Sequence, residues 1–116
     1  MRRYLGLKGG SVKKILIVED DVTMVRFLKE TISEKLNIPC TSVASYDELT
    51  ALLKKEEAFS IALVDMVLHD AKEGEAVDVL LEKNIPVIAM TGKASENLEK
   101  RMLEKDILDY VYKDSV

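Results

Sequence analysis

Two hydrophobic periods take turns along the chain: short runs of consecutive apolar, largely β-branched residues, and longer stretches whose apolar positions recur every third or fourth residue. Ile15-Leu16-Ile17-Val18 is the first run. Behind it Val22, Val25, Leu28 and Ile32 fall at helical spacing, with Phe27 and Leu36 alongside, which predicts a strand followed by a helix. Residues 40–44, after Pro39, predict a second strand. Ser45 and Glu48 then occupy the two positions of a capping box, in which each side chain satisfies a free amide of a helix running to about Glu56. The third run, 60–65, leads through a polar loop with Gly74 to Ala76, Val77, Leu80 and Leu81 on one helical face. Residues 85–91 make a fourth strand, Gly92 opens a turn to a helix carrying Leu98, Met102 and Leu103, and residues 107–113 make a fifth strand.

Strands apolar on both faces and separated by helices predict an α/β fold: an open five-stranded parallel sheet of order 2-1-3-4-5, flavodoxin-like, covered on both sides by right-handed crossovers. Ligands of such sheets bind beyond the carboxyl ends of the strands, where the strand order reverses, here between strands one and three. The residues at those ends are Glu19 and Asp20, then Asp65, Thr91 and Lys113. Three carboxylates in one crevice repel by about 4 kcal/mol per pair at ~4 Å and an effective dielectric near 20. A hard divalent cation removes the conflict, and Mg²⁺ takes carboxylate oxygens, a carbonyl, waters and a phosphate oxygen. With Mg²⁺ on Glu19, Asp20 and Asp65, the remaining groups suit phosphoryl transfer, which depends on positioning and on charge neutralisation. Asp65 is then the nucleophile that forms an aspartyl phosphate, with Lys113 and Thr91 covering the new oxygens.

Composition narrows the class. The 116 residues (13.0 kDa, 47% hydrophobic) suffice for one core, and a net charge of −4 with few aromatics argues against direct nucleic-acid binding. No stretch has the length of a membrane span or of a signal peptide's apolar region, which places the chain in the cytoplasm. The single cysteine, Cys40, reads as a small buried hydrophobe, and Met66, Met90 and Met102 as core filler. Asp21 reads as the cap of the first helix. His69, the one histidine, reads as solvated and receives no role. Tyr110 and Tyr112 on the last strand are expected to face one inward and one outward.

Taken in order, ILIVEDD, LVDMVL, IAMTG and DYVYK resemble the response-regulator receiver domains of two-component signalling over about residues 14–113. The resemblance implies an acid pair at Glu19 and Asp20, a phospho-acceptor at Asp65, a switch hydroxyl at Thr91 and a lysine at Lys113. It further implies a rotating aromatic at Tyr110 and the backbone carbonyl of Val67 as a metal ligand. A sensor histidine kinase or phosphotransfer protein would donate the phosphoryl group, and the helix 4/strand 5 surface would switch. LHDAKEGE, IPVIAMTGK and DYVYKDS look like receivers that precede cyclic-dinucleotide output domains.

Departures from the pattern are Leu68-His69 where Leu-Pro is common, and Asp114 where a cis proline often follows the lysine, so the peptide after Lys113 is expected to be trans. Residues 1–13 read as a flexible extension joined through Gly9-Gly10-Ser11, and 14–116 as a receiver domain without its fifth helix. One face of strands three to five would then be left open, to be covered by a following segment of a longer protein, by a homodimer, or by Tyr4, Leu5 and Leu7 folding back. Two functions follow: a phosphorelay receiver, itself no enzyme beyond its own phosphorylation and dephosphorylation, or a receiver-like module that dimerises or docks without phosphate. A metal-dependent phosphatase using Asp65 fits poorly, because Val67 stands where such enzymes usually carry a second acid.

Overall fold

Each of the five apolar runs becomes a strand in the computed structural model, which describes residues 14–55, 58–92 and 95–113. The strands are β1 (Ile15–Val18), β2 (Cys40–Val43), β3 (Ile61–Asp65), β4 (Val87–Thr91) and β5 (Asp109–Tyr112). Between them lie α1 (Val22–Leu36), α2 (Tyr46–Leu53), α3 (Glu75–Glu82) and α4 (Glu96–Leu103). All pairings are parallel and the order is β2-β1-β3-β4-β5. The doubly wound α/β architecture read from the sequence is therefore the architecture found.

Alternation along the strands sorts the core into two layers. Leu16 and Val18 of β1, Ala62 and Val64 of β3, and Val87 and Ala89 of β4 pack with Leu49, Leu53, Val77, Leu80, Leu98 and Met102 from α2, α3 and α4. Ile15, Ile17, Ile61 and Met90 point the other way, onto Leu28 and Ile32 of α1. On this second side Leu63, Ile88 and Leu108 are only half-buried.

Local chemistry fixes the element ends, sometimes differently from the expectation. Asp21 caps α1 by accepting from the amides of Thr23 (2.9 Å) and Met24 (3.2 Å). Asn37, in the left-handed region at φ 53, closes the helix by donating to the carbonyls of Ile32 and Ser33. Val22, assigned to the apolar stripe, is instead 73% exposed, and Phe27 and Leu36 are also exposed, because α1 lies on the sheet along Leu28 and Ile32, with Met24 and Val25 partly buried beside them. In the capping box Ser45 accepts from the Glu48 amide (3.1 Å), but Glu48 reaches back to the amide of Ala44 (3.2 Å), one residue beyond the usual partner. α2 ends at Leu53, short of the expected Glu56, which lies outside the described residues. Cys40 is half-buried rather than buried. β5 is shorter than read, beginning at Asp109. Residues 1–13, Asp114 and the peptide bond after Lys113 also lie outside the described residues.

Gly74 starts α3 with φ 78, and its amide donates to the Met66 carbonyl (3.1 Å). A Cβ there would meet the Met102 terminal methyl at 2.5 Å, a contact the flexible methionine can partly yield. The backbone conformation cannot adapt so easily. Gly74→Ala is expected to cost about 1–2 kcal/mol in denaturant unfolding, with Gly74→Asn costing less. Equal stability of all three proteins would refute this.

Candidate functional site

β1 and β3 are adjacent and in register, with Val18 opposite Val64, so the residues that follow these partners emerge side by side at the switch point. Glu19 is 1% exposed and continues the β1–β2 ladder by donating its amide to the Val43 carbonyl (3.0 Å). Its Oε2 accepts from the Asp21 amide (3.0 Å). Asp65, also buried, accepts at Oδ1 from the Val67 amide (3.0 Å). Asp20 is more exposed and accepts at Oδ2 from the His69 amide (3.3 Å). One oxygen from each of the three carboxylates lies within 4.8 Å of the others. This set is all oxygen and high in charge, as a hard divalent cation requires.

Lys113 enters the same crevice from just beyond β5. Its Nζ donates to Asp65 Oδ2 (2.9 Å) and sits 2.7 Å from Glu19 Oε1. The ammonium therefore bridges two buried carboxylates, and its own pKa reflects this. Burial pushes it down, but the contacts with Glu19 and Asp65 more than offset burial and raise it. Glu19 is affected more strongly. Burial pushes its carboxyl up to about 7, with the Asp65 charge adding to the rise while Lys113 and the Asp21 amide hold it back. A cleft of about 280 Å³ lies beside Glu19 and Asp20, walled by Val22, Val25, Ser42, Val43, Ala44 and Glu48.

Thr91 ends β4 and is buried, directly opposite Tyr112 across the β4–β5 ladder. The hydroxyls of Thr91 and Tyr110 are both buried, and neither completes a well-formed hydrogen bond among the described residues. Burial raises the Tyr110 pKa, as does the Glu99 charge, and the nearby Thr91 hydroxyl offsets part of the rise. The expectation of one inward and one outward tyrosine fails. Residues two apart on a strand share a face, and the two rings stack with centroids 5.4 Å apart at 29°. What differs is depth: the Tyr110 hydroxyl is buried, whereas Tyr112 is 47% exposed at the end of an edge strand.

Five of the expected site side chains thus meet at one end of the sheet: Glu19, Asp20 and Asp65 with Lys113 among them, and Thr91 beside them at the end of β4. Val67 contributes its amide to Asp65. The sequence reading missed two neighbours. His69 is exposed, but its Nδ1 lies 3.6 Å from Asp20 Oδ2, on the same oxygen that its amide reaches. Asp70 accepts from the amides of Tyr46 (2.9 Å) and Asp47 (3.1 Å), capping α2 from a different loop, and the Tyr46 bond holds its pKa below the usual value. A cap supplied across the fold leaves no local sequence signal.

The family model described as the response regulator receiver domain matches residues 15–115. The chain is similar to the hybrid signal transduction histidine kinase D of Dictyostelium discoideum, at 30% identity over 105 residues, covering 85% of this chain and 6% of that protein. Among solved structures, a putative two-component system response regulator/GGDEF domain protein is 39% identical, with a TM-score of 0.73 over 88% of this chain and 41% of the other. A CheY-like response regulator receiver domain protein from Methanospirillum hungatei JF-1 is 28% identical, with a TM-score of 0.74 over 89% of this chain and 82% of the other. The chain therefore spans under half the length of the GGDEF protein and a small fraction of the kinase. No described helix is long and apolar enough to cross a membrane.

Proposed function

Because the chain belongs to the response regulator receiver domains, the phospho-acceptor modules of two-component signalling, we propose that Asp65 accepts a phosphoryl group in the presence of Mg²⁺ and that the α4–β5 surface reports it. The observation that carries this reading is the Lys113 ammonium held between two buried carboxylates, Glu19 and Asp65, at the topological switch point. The three clustered carboxylates would hold Mg²⁺, with the Val67 carbonyl as a further ligand. Bound there, Mg²⁺ supplies positive charge against the oxygens of the transferring group. Every other part falls to the chain itself. The Val67 amide and Lys113 fix the plane of the Asp65 carboxylate. One of its oxygens forms a bond to phosphorus as the phosphorus–nitrogen bond to a donor phosphohistidine breaks, and the electron pair returns to the imidazole nitrogen. Lys113 and the Thr91 hydroxyl then cover oxygens of the acyl phosphate.

Such a group can switch the domain only by making contacts in one arrangement that it lacks in the other. Recruitment of Thr91 supplies that difference, and it favours the inward Tyr110 arrangement that this structure already holds. The donor would be a sensor histidine kinase or phosphotransfer protein in the cytoplasm, and the receiver of the signal an output domain. The 39% identity to a response regulator/GGDEF domain protein supports a cyclic-dinucleotide output. Incubation with acetyl phosphate and Mg²⁺ tests the chemistry: the intact mass should rise by one phosphoryl group, lost again with hydroxylamine and prevented by chelator. A folded protein whose mass never changes would contradict it.

The raised Glu19 pKa gives a second test. A ligand carboxyl must be deprotonated, and Glu19 titrates at about 7 rather than 4.5. Protons therefore compete with the cation below pH 7, and Mg²⁺ affinity by calorimetry should rise roughly 10-fold between about pH 6 and about pH 8. Stability without metal runs the opposite way. The fold retains a proton that the unfolded chain releases, so the Glu19 contribution falls as pH rises from about 4.5 to about 7. A pH-independent Mg²⁺ affinity would refute the assignment of Glu19.

A further inference from the structure

We propose that Tyr112 is a positioning residue of the switch, linking the acceptor site to α4 through its stack on Tyr110 and its hydrogen bond to Glu99. The inference rests on the assignment of Asp65 as acceptor and adds a residue that assignment does not use. Tyr112 touches each moving part. It is the strand partner of Thr91, the chain neighbour of Lys113, and the stacking partner of Tyr110 at 5.4 Å. Its side chain nevertheless leaves the site, and its hydroxyl donates to Glu99 Oε1 at 2.7 Å.

Glu99 belongs to α4, which is seated on the core by Leu98 and Met102 while Leu103 stays 62% exposed. On its other side Arg101 pairs with Glu73 (3.1 Å), an exposed contact, so α4 is held by two buried side chains and by surface ties of which the Tyr112 bond is the one that reaches β5, and its seating can change when that tie changes. The tie and the inward tyrosine reinforce each other. Stacking holds Tyr112 over Tyr110, and the Glu99 bond fixes Tyr112 so that Tyr110 is kept with its hydroxyl buried near Thr91. Filling the acceptor site, which draws on Thr91 with Tyr110 inward, is therefore favoured by the tie, and by reciprocity must strengthen it.

The test measures beryllofluoride binding with Mg²⁺ by NMR in the wild type, Tyr112→Phe, Glu99→Ala and the double variant, with unfolding midpoints recorded for each. Tyr112→Phe keeps the ring stack and removes only the hydroxyl. Both single variants should weaken beryllofluoride binding about 5-fold, and the double variant no further, since both remove one bond. In the wild type the ring signals of Tyr112 should shift on binding. A Tyr112→Phe protein that binds as the wild type does, or single effects that multiply in the double variant, would overturn the inference while leaving Asp65 as acceptor. A wild type that binds no beryllofluoride would overturn both.

Discussion

Asp65→Asn will abolish phosphoryl acceptance while leaving the fold intact. The amide oxygen can still accept from the Val67 amide, as Oδ1 does now at 3.0 Å, so the β3–α3 connection keeps its local bond. What disappears is the anionic nucleophile, and with it one of the three charges clustered within 4.8 Å. A neutral amide neither attacks phosphorus at a useful rate nor binds a hard cation as a carboxylate does. Labelling from acetyl phosphate should fall below detection, and Mg²⁺ should bind more weakly. Because the Asp65 charge helps to raise the Glu19 pKa, the variant should also show Glu19 titrating lower, readable from its side-chain carbonyl resonance. Labelling that persists at wild-type level in Asp65→Asn would place the acceptor elsewhere.

Lys113→Ala carries the second largest effect, and it falls on stability as well as chemistry. The lysine side chain is 19% exposed and faces carboxylates that are 0% and 5% exposed, so its removal strands two buried acids. Breaking a buried ion pair commonly costs about 3–5 kcal/mol. Here Glu19 can relieve part of the strain by taking a proton, which lowers the expected loss to about 2 kcal/mol at neutral pH. Urea unfolding should show this loss, and Mg²⁺ should restore more stability to the variant than to the wild type, because the cation replaces the missing charge. Phosphoryl acceptance should fall as well. An unchanged unfolding midpoint would mean that the lysine is not what balances the acids.

The parts of this site legible in the sequence were those fixed by periodicity. Four apolar residues before Glu19 and five strand residues ending in Asp65 set both acids at strand ends, and the parallel register then brings them together. The run Glu19-Asp20-Asp21 divided as read, with the first two acids in the crevice and the third capping α1. Spacing alone could not give the depth of a side chain. Val22 fits the helical stripe but is the first residue of α1 and stays exposed, and Cys40 starts an edge strand with one neighbour rather than two. The strand period of two puts positions 110 and 112 on one face, so their spacing gives a stacked pair of tyrosines and no inward–outward division. Contacts made across the fold, such as Asp70 on the amides of α2 or Tyr112 on Glu99, depend on how loops and helices settle and have no counterpart in local spacing.

A phosphoryl group on Asp65 should change the surroundings of Thr91 and Tyr110. Amide and side-chain NMR spectra recorded with Mg²⁺ and beryllofluoride, for the wild type and Asp65→Asn, test it most directly. Mg²⁺-dependent shifts are expected at Thr91, Tyr110 and along α4 in the wild type and none in the variant, with any accompanying rise in mass by light scattering marking dimerisation as an output. Spectra of a folded wild type that respond to neither ion would contradict it and favour a module that docks without phosphorylation.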